Sequence, residues 1–299
     1  MPLAPILLFV YNRPDHAQRA IDSLRANTLA AQSELFIYAD APASEEVRPA
    51  VEAVRQQLSH IEGFAAVHVV LREENYGLAR NVIDGVTTLT ERFGRVIVVE
   101  DDLVVAPHFL EFMNDALELY ADEPRVGHIQ ACDFTGDPSL PDTFLIKFTG
   151  SWGWATWKRA WALFNPDGSA LLRQLEERQL TRRFDFNGRY PFTRMLRRQI
   201  AGKNNSWAIR WNASLFLADV LSLNVGRSLV SNEGFDGSGT HSRTGDPYTS
   251  RLYPSRLHVE RITPVEENLQ ARQAFERYYA RTNSLWAKAV RRLRRMLSL

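Results

Sequence analysis

The chain carries a single cysteine, Cys132, in 299 residues. That excludes a disulfide framework and a cysteine-rich zinc site, and it suits a reducing compartment. Cys132 itself reads as a small buried residue at a strand end. A surplus of one charge sign is also missing: 36 Lys and Arg against 35 Asp and Glu leave a net charge of +1. A nucleic-acid binder would show a concentrated basic excess, so no nucleic-acid partner is expected. Long apolar runs are lacking too. The stretch Ile6–Val10 is far too short to span a bilayer and has no basic region before it, so neither a signal peptide nor a membrane span is expected. Internal repeats and low-complexity tracts are absent. What remains is an ordinary globular composition, 45% hydrophobic and 24% charged, in a chain long enough to bury a sizeable core.

The first third alternates strand and helix signals. Ile6, Leu7, Leu8, Phe9 and Val10 form a continuous apolar run, the pattern of a strand buried on both faces. It ends at Tyr11-Asn12-Arg13-Pro14, and a helix is expected from Asp15, with Ala17, Ala20, Ile21 and Leu24 on one face. A second strand at 35–38 stops at Asp40. Ser44 is placed to cap the next helix, with Glu45 and Glu46 in its first turn, where the helix dipole favours acid. A third strand at 67–71 leads to the turn Asn75-Tyr76-Gly77 and a helix from Leu78. A fourth at 96–99 runs straight into Glu100-Asp101-Asp102, and Pro107 then opens a helix that Pro124 closes.

This alternation predicts an α/β fold, a mainly parallel wound sheet flanked by helices. In such sheets ligands sit at the carboxyl ends of the strands. Asn12, Arg13, Asp40, Asn75 and the acidic triplet all fall there. Adjacent carboxylates after an apolar strand repel one another, and their burial is unfavourable without a cation. Their hard oxygens suit Mg2+ or Mn2+, which also bind pyrophosphate oxygens. Asp40 is a candidate for a base or ribose edge, Asn12 and Arg13 for base and phosphates, and Arg80 for the diphosphate. His241 ends the glycine-rich loop 234–241. Such a loop can close over a ligand and present this side chain to metal or phosphate. Trp152 and Trp154 offer flat faces for a sugar, with core packing as the alternative.

The second half is richer in aromatics and glycine, with no linker before it. The expected organisation is one domain at 1–262, with a nucleotide-sugar half at 1–132 and an acceptor half at 133–262, followed by a helical tail at 263–299. Thr263-Pro264-Val265-Glu266 reads as a capping box with proline at the first helical position. From Ser284 onward, Leu285, Trp286, Ala289, Val290 and Leu293 share a face opposite Lys288, Arg291, Arg292, Arg294 and Arg295. That pattern suits a helix lying in a membrane interface, or a docked terminal helix with a solvated basic face. The first alternative places a cytoplasmic protein at the inner face of a membrane.

The order Val10-Tyr11-Asn12-Arg13, Asp40, Asn75-Tyr76-Gly77-Leu78, Glu100-Asp101-Asp102 resembles GT-A-fold glycosyltransferases. It is most similar to the N-acetylglucosaminyltransferase I-like group and to related bacterial sugar transferases. Gly153-Trp154-Ala155-Thr156-Trp157 and Gly237-Ser238-Gly239-Thr240-His241 also resemble segments of those bacterial enzymes. The resemblance implies a nucleotide-diphosphate-sugar donor, commonly UDP-linked, bound through Tyr11 to Arg13, Asp40, Asn75, Glu100 and Asp101. It implies Asp102 as the direct Mn2+ ligand. It also implies a glycan or lipid-linked acceptor and a role in surface polysaccharide or lipopolysaccharide synthesis. One departure stands out. The group's pattern has an aspartate general base after a tryptophan, and the matching position after Trp207 is Ala208. Asp236 and Glu233 are then the candidate bases. Two other readings compete: a nucleotidyltransferase making a nucleotide sugar, and a non-catalytic carbohydrate- or membrane-binding scaffold. The former would carry a glycine-rich basic loop where Tyr11-Asn12-Arg13-Pro14 stands.

Overall fold

The computed structural model describes residues 2–234 and 251–284. The chain opens with β1 (Ile6–Val10), α1 (Pro14–Arg25), β2 (Glu34–Ala39), α2 (Arg48–Gln57), β3 (Ala66–Leu71), α3 (Gly77–Phe93) and β4 (Arg95–Glu100). After the acidic turn come β5 (Leu103–Val105), α4 (Phe109–Leu119), β6 (Val126–Gln130), β7 (Thr143–Ile146), β8 (Trp154–Trp157) and α5 (Lys158–Trp161). The last group is α6 (Gly168–Glu177), α7 (Thr181–Phe184), α8 (Phe192–Ile200), α9 (Trp207–Leu217), β9 (Leu221–Val225), β10 (Val230–Asn232) and α10 (Leu269–Thr282).

Eight strands form one sheet in the order β3-β2-β1-β4-β8-β6-β9-β7. The pairs β3–β2, β2–β1, β1–β4 and β6–β9 are parallel, and β8 runs antiparallel between β4 and β6. β7 is antiparallel to β9 at the far edge. Six strands therefore point the same way. The sheet is mixed and mainly parallel, with helices on both faces, as the alternation of signals predicts.

The apolar run of β1 explains its central position. Ile6, Leu8 and Val10 pack into the core under α1 and α4. Leu7 and Phe9 pack into the core beneath α3 and α9. Each such side chain contributes roughly 1.5–3 kcal/mol by leaving water. A third cluster joins α6, α8, α9 and α10 against β7 around Phe144, Phe186 and Phe275. Among the described residues no helix is long and apolar enough to cross a membrane.

Two helix starts differ from the expected ones. Ser44 does not cap α2: the chain turns through 45–47 and enters the helix at Arg48. Glu45 instead accepts from Arg48 Nε at 2.7 Å, and proline stands in the first turn. Nor does Thr263 open a helix. Asn268 caps α10 by accepting from Ala271 N–H at 2.9 Å, and Val265 is buried against the core. An asparagine at the end of an extended segment is the stronger N-cap. The basic tail from Leu285 lies outside the described residues.

Candidate active site

In the strand order, β1 lies between β2 and β4, so the chain first builds to one side of β1 and then crosses to the other. An open α/β sheet receives its ligands in the crevice at such a switch point. Arg13 enters that crevice from the end of β1, and the acidic turn enters it from the end of β4. Arg13 Nη2 donates to Asp101 Oδ1, and to Asp102 Oδ2 at 3.2 Å. Arg13 Nη1 is buried without an acceptor among the described residues.

The electrostatics follow from crowding. Burial pushes the Asp101 carboxyl up to about 6, against the pull of Arg13. Burial, then Asp102 and Asp101, push Glu100 up to about 8, although part of its side chain reaches solvent. Burial works against the charge on Arg13, but Asp101 and then Asp102 outweigh it and hold the guanidinium above its ordinary value. One guanidinium thus faces three carboxylates. A hard divalent cation suits this donor set. Among the described residues no three His, Cys, Asp or Glu side chains converge to hold a metal. A cation here would have one carboxylate, that of Asp102, as its protein ligand and would need its remaining ligands from a substrate or water. Arg13 Nη1 is a spare buried donor beside it.

A second strand pair builds the rim. β10 pairs antiparallel with β5, placing Asn232 opposite Leu103. Glu233 N–H then donates to the Asp102 carbonyl at 2.8 Å, and Gly234 N–H to Asn232 Oδ1 at 2.8 Å. Gly234 comes so near Asp102 that any Cβ there would crowd its carboxylate. The Glu233 carboxylate turns away to the surface, accepting from Arg19 Nε of α1 at 2.7 Å. Asp236 and His241 lie outside the described residues.

Asp40 is engaged differently from expectation. Its buried carboxylate accepts from the N–H groups of Ala41 (2.9 Å), Tyr76 (2.8 Å) and Gly77 (2.8 Å), and from Asn75 Nδ2 (3.3 Å). Four donors fill a carboxylate. Asp40 therefore fixes the first turn of α3 instead of offering an edge to a base. Gly77 completes that turn at φ +66°, a conformation suited to glycine. Asn75 also donates to Ala41 O at 2.7 Å. Arg80 stacks over the Tyr76 ring at 3.5 Å and pairs with Glu74 at 2.8 Å on the surface. Tyr11 Oη accepts from Ala43 N–H at 3.1 Å, and Asn12 sits half-buried beside Arg13.

The two tryptophans part company. Trp154 is fully buried between His128 and Trp207, with ring centroids 5.3 and 5.1 Å away. No face is left for a sugar, and core packing replaces the expected site role. Trp152 is half-buried and lines a cavity of about 210 Å³ at the carboxyl end of β6, together with Gln130, Tyr190, Ala208 and Asn212. β6 lies two strands from β4, roughly 10 Å across the sheet. The position that the resemblance matches to a general base thus does face a cavity on the strand-end side, but as alanine it offers no proton acceptor.

Several contributors had no one-dimensional signal. Arg55 Nη2 on α2 ties Asp40 O (3.1 Å) to Arg72 O (2.6 Å), joining the ends of β2 and β3. Gln130 Nε2 donates to Trp152 O at 3.2 Å. Asn232 would have been found only by pairing β10 with β5.

The sequence model of the GNT-I family matches residues 1–167. No curated protein sequence matches the chain. Among solved structures, the mannosyltransferase PcManGT from Pyrobaculum calidifontis, in complex with GDP-Man and Mn2+, is 14% identical, with a TM-score of 0.39 over 73% of this chain and 74% of that one. Mouse xyloside xylosyltransferase 1 is 11% identical, with a TM-score of 0.40 over 73% of this chain and 83% of that one. S. aureus TarS is 14% identical, with a TM-score of 0.34 over 54% of this chain and 29% of that one.

Proposed function

This chain belongs to the GNT-I family and is a glycosyltransferase, and on that premise we propose that it moves a sugar from a UDP-sugar to a hydroxyl of a glycan or lipid-linked acceptor, with Mn2+ or Mg2+ at Asp102. One observation carries the reading. Arg13 and Asp102 meet, 3.2 Å apart, in the switch-point crevice between β1 and β4.

The proposed donor lies with its diphosphate at Asp102 and Arg13. Arg13 Nη1 donates to a phosphate oxygen, and Arg13 Nη2 holds Asp101 and Asp102 in place. Asp102 would hold the cation, which would supply positive charge to the departing diphosphate. Asp40 and Asn75 keep the first turn of α3 in shape beside the donor. The acceptor hydroxyl forms the new bond to the anomeric carbon as the bond to the diphosphate breaks, and the diphosphate leaves with the electron pair. The hydroxyl proton goes to a carboxylate, for which Asp236 is the candidate that remains, the Glu233 carboxylate being turned away to Arg19. Ala208 cannot take it.

The proposed setting is surface polysaccharide or lipopolysaccharide synthesis, with the tail from Ser284 resting on the inner face of a membrane. The expected boundary at 262 gives way, since Val265 and α10 pack into the core; residues up to α10 are proposed as the transferase unit and the segment from Ser284 as the tail. The test is release of UDP from a panel of UDP-sugars with Mn2+. Asp102→Ala is expected to abolish metal-stimulated release, and full release by that variant would overturn the reading.

A further inference from the structure

Asn212 is buried, yet only one end of its side-chain amide is used. Its residue is 4% exposed. Oδ1 accepts from Thr149 N–H at 3.0 Å, with Thr149 Oγ1 at 3.4 Å. A backbone N–H can only donate, so this bond fixes which end of the amide is oxygen. Nδ2 has no acceptor among the described residues, and it is not sealed inside the protein. Asn212 lines the cavity at the carboxyl end of β6, one turn of α9 beyond Ala208, which lines it too. The unused N–H donor therefore opens into that cavity. A buried donor left without a partner costs about 1–3 kcal/mol, and a ligand oxygen there removes the cost.

The other amide in the wall is spent. Trp211 Nε1 donates to His128 Nδ1 at 3.2 Å, which leaves the His128 Nε2 proton for Gln130 Oε1 at 3.4 Å. Gln130 Nε2 donates to Trp152 O at 3.2 Å. Gln130 is 1% exposed. It shapes the wall, while Asn212 offers a bond.

The rest of the lining narrows the ligand class. Ser151 is half-buried, and its hydroxyl has no partner among the described residues, so it can donate or accept. Ala208, Ile209 and Met195 supply an apolar side. No charged side chain among the described residues lines the cavity. An ion would lose its water there without gaining a counter-ion, at a cost of several kcal/mol. The volume of about 210 Å³ is below the ~300–1,000 Å³ of sites for drug-sized ligands. A small uncharged ligand with hydroxyl oxygens at its edge and a C–H face meets these demands, and one sugar ring is such a ligand.

We propose that Asn212 is a substrate-binding residue: its Nδ2 group donates to a hydroxyl oxygen of an uncharged acceptor sugar held in this cavity. That the sugar is the acceptor rests on the transferase reading; the sugar contact does not.

The test is NMR on the 15N-labelled full chain without divalent cation. The Asn212 side-chain amide is identified by its loss in Asn212→Asp. Glucose, galactose and mannose are titrated beside their three uronic acids. At least one hexose shifts the Asn212 signal, and its uronic acid binds at least about 10-fold more weakly. Asn212→Asp keeps the acceptor for Thr149 and puts an oxygen where the free N–H stood. Followed on the sugar from pH 5 to 9, its affinity falls about 10-fold as the carboxyl ionises and returns as it is protonated, while wild type stays flat. A role confined to holding Thr149 would not give that profile. Ala208→Leu, which fills the space beside Asn212, removes sugar binding and serves if Asn212→Asp does not fold. No shift of the Asn212 signal with any hexose, a uronic acid as tight as its hexose, wild-type affinity in Asn212→Asp at every pH, or full binding in Ala208→Leu would each overturn the proposal. UDP binding with Mn2+ is measured on the same sample. Its failure with sugar binding intact strikes the transferase reading and leaves the Asn212 contact standing.

Discussion

The backbone of Gly234 lies against the carboxylate of Asp102: a Cβ at 234 would stand 2.6 Å from Asp102 Oδ2 and 3.0 Å from Asp102 Cβ. Only glycine leaves Asp102 where it is. Gly234→Ala must push that carboxylate aside. It is expected to lower kcat/KM about 100-fold, the scale of an ångström misplacement, with the thermal midpoint little changed because no core contact is lost. Steady-state kinetics with a thermal melt checks this. Unchanged kcat/KM would show that Asp102 is not held for chemistry.

Glu100 sets a stability trend in metal-free protein. Its folded pKa of about 8 lies above the ordinary 4.5. Between those values the folded state keeps a proton that the unfolded state releases. Stability therefore falls as pH rises through that window, by at most about 1.4 kcal/mol per unit. Glu100→Gln cannot ionise, so its urea-unfolding free energy in EDTA is flatter from pH 5 to 8. Parallel curves for the two proteins would contradict the cause given.

His128 acts with the opposite sign. Burial pulls it from 6.5 down to about 3, so it stays neutral in the fold and is protonated in the unfolded chain across that range. Stability is lost as pH falls from 6.5, again by at most about 1.4 kcal/mol per unit for this one proton. His128→Asn is less stable at pH 7 because it loses the Trp211 and Gln130 contacts, but it has a shallower acid slope. Urea midpoints from pH 7 to 4 decide it. An unchanged slope would mean that His128 is not the buried proton acceptor.

Trp154 and Trp152 are two residues apart, yet they respond differently. Trp154→Ala is expected to cost roughly 3–5 kcal/mol of stability, as for a large core aromatic. Trp152→Ala leaves folding nearly intact and raises the acceptor KM. Urea unfolding and acceptor titration separate them. Reversed effects would move the sugar-facing ring to Trp154.

The sequence made the strand ends legible because the buried strands β1, β2 and β4 are apolar runs, and these and the more exposed edge strand β3 all stop at polar residues. The meeting of Arg13 with Asp102 follows once the strand order is known. Other features were not readable. Asp40 looked like a ligand-binding carboxylate, and nothing in its spacing showed that three backbone N–H groups and Asn75 would fill it. Trp154 and Trp152 have the same residue type and opposite fates, because β8 starts at Trp154 and is covered by α9. The side chains behind Gln130 come from β6 and α9, 83 residues apart for the His128–Trp211 bond, a separation that no local pattern reports.

The central claim is that Asp102 holds a cation that binds the donor diphosphate. Isothermal titration of UDP, with Mn2+ and with EDTA, tests it most directly on wild type and Asp102→Asn. The account predicts tight binding only with Mn2+ in wild type, and loss of the metal effect in the variant beyond the about 10–100-fold that outer partners cost. Equal UDP affinity with and without Mn2+, or a metal effect that survives in Asp102→Asn, would contradict it.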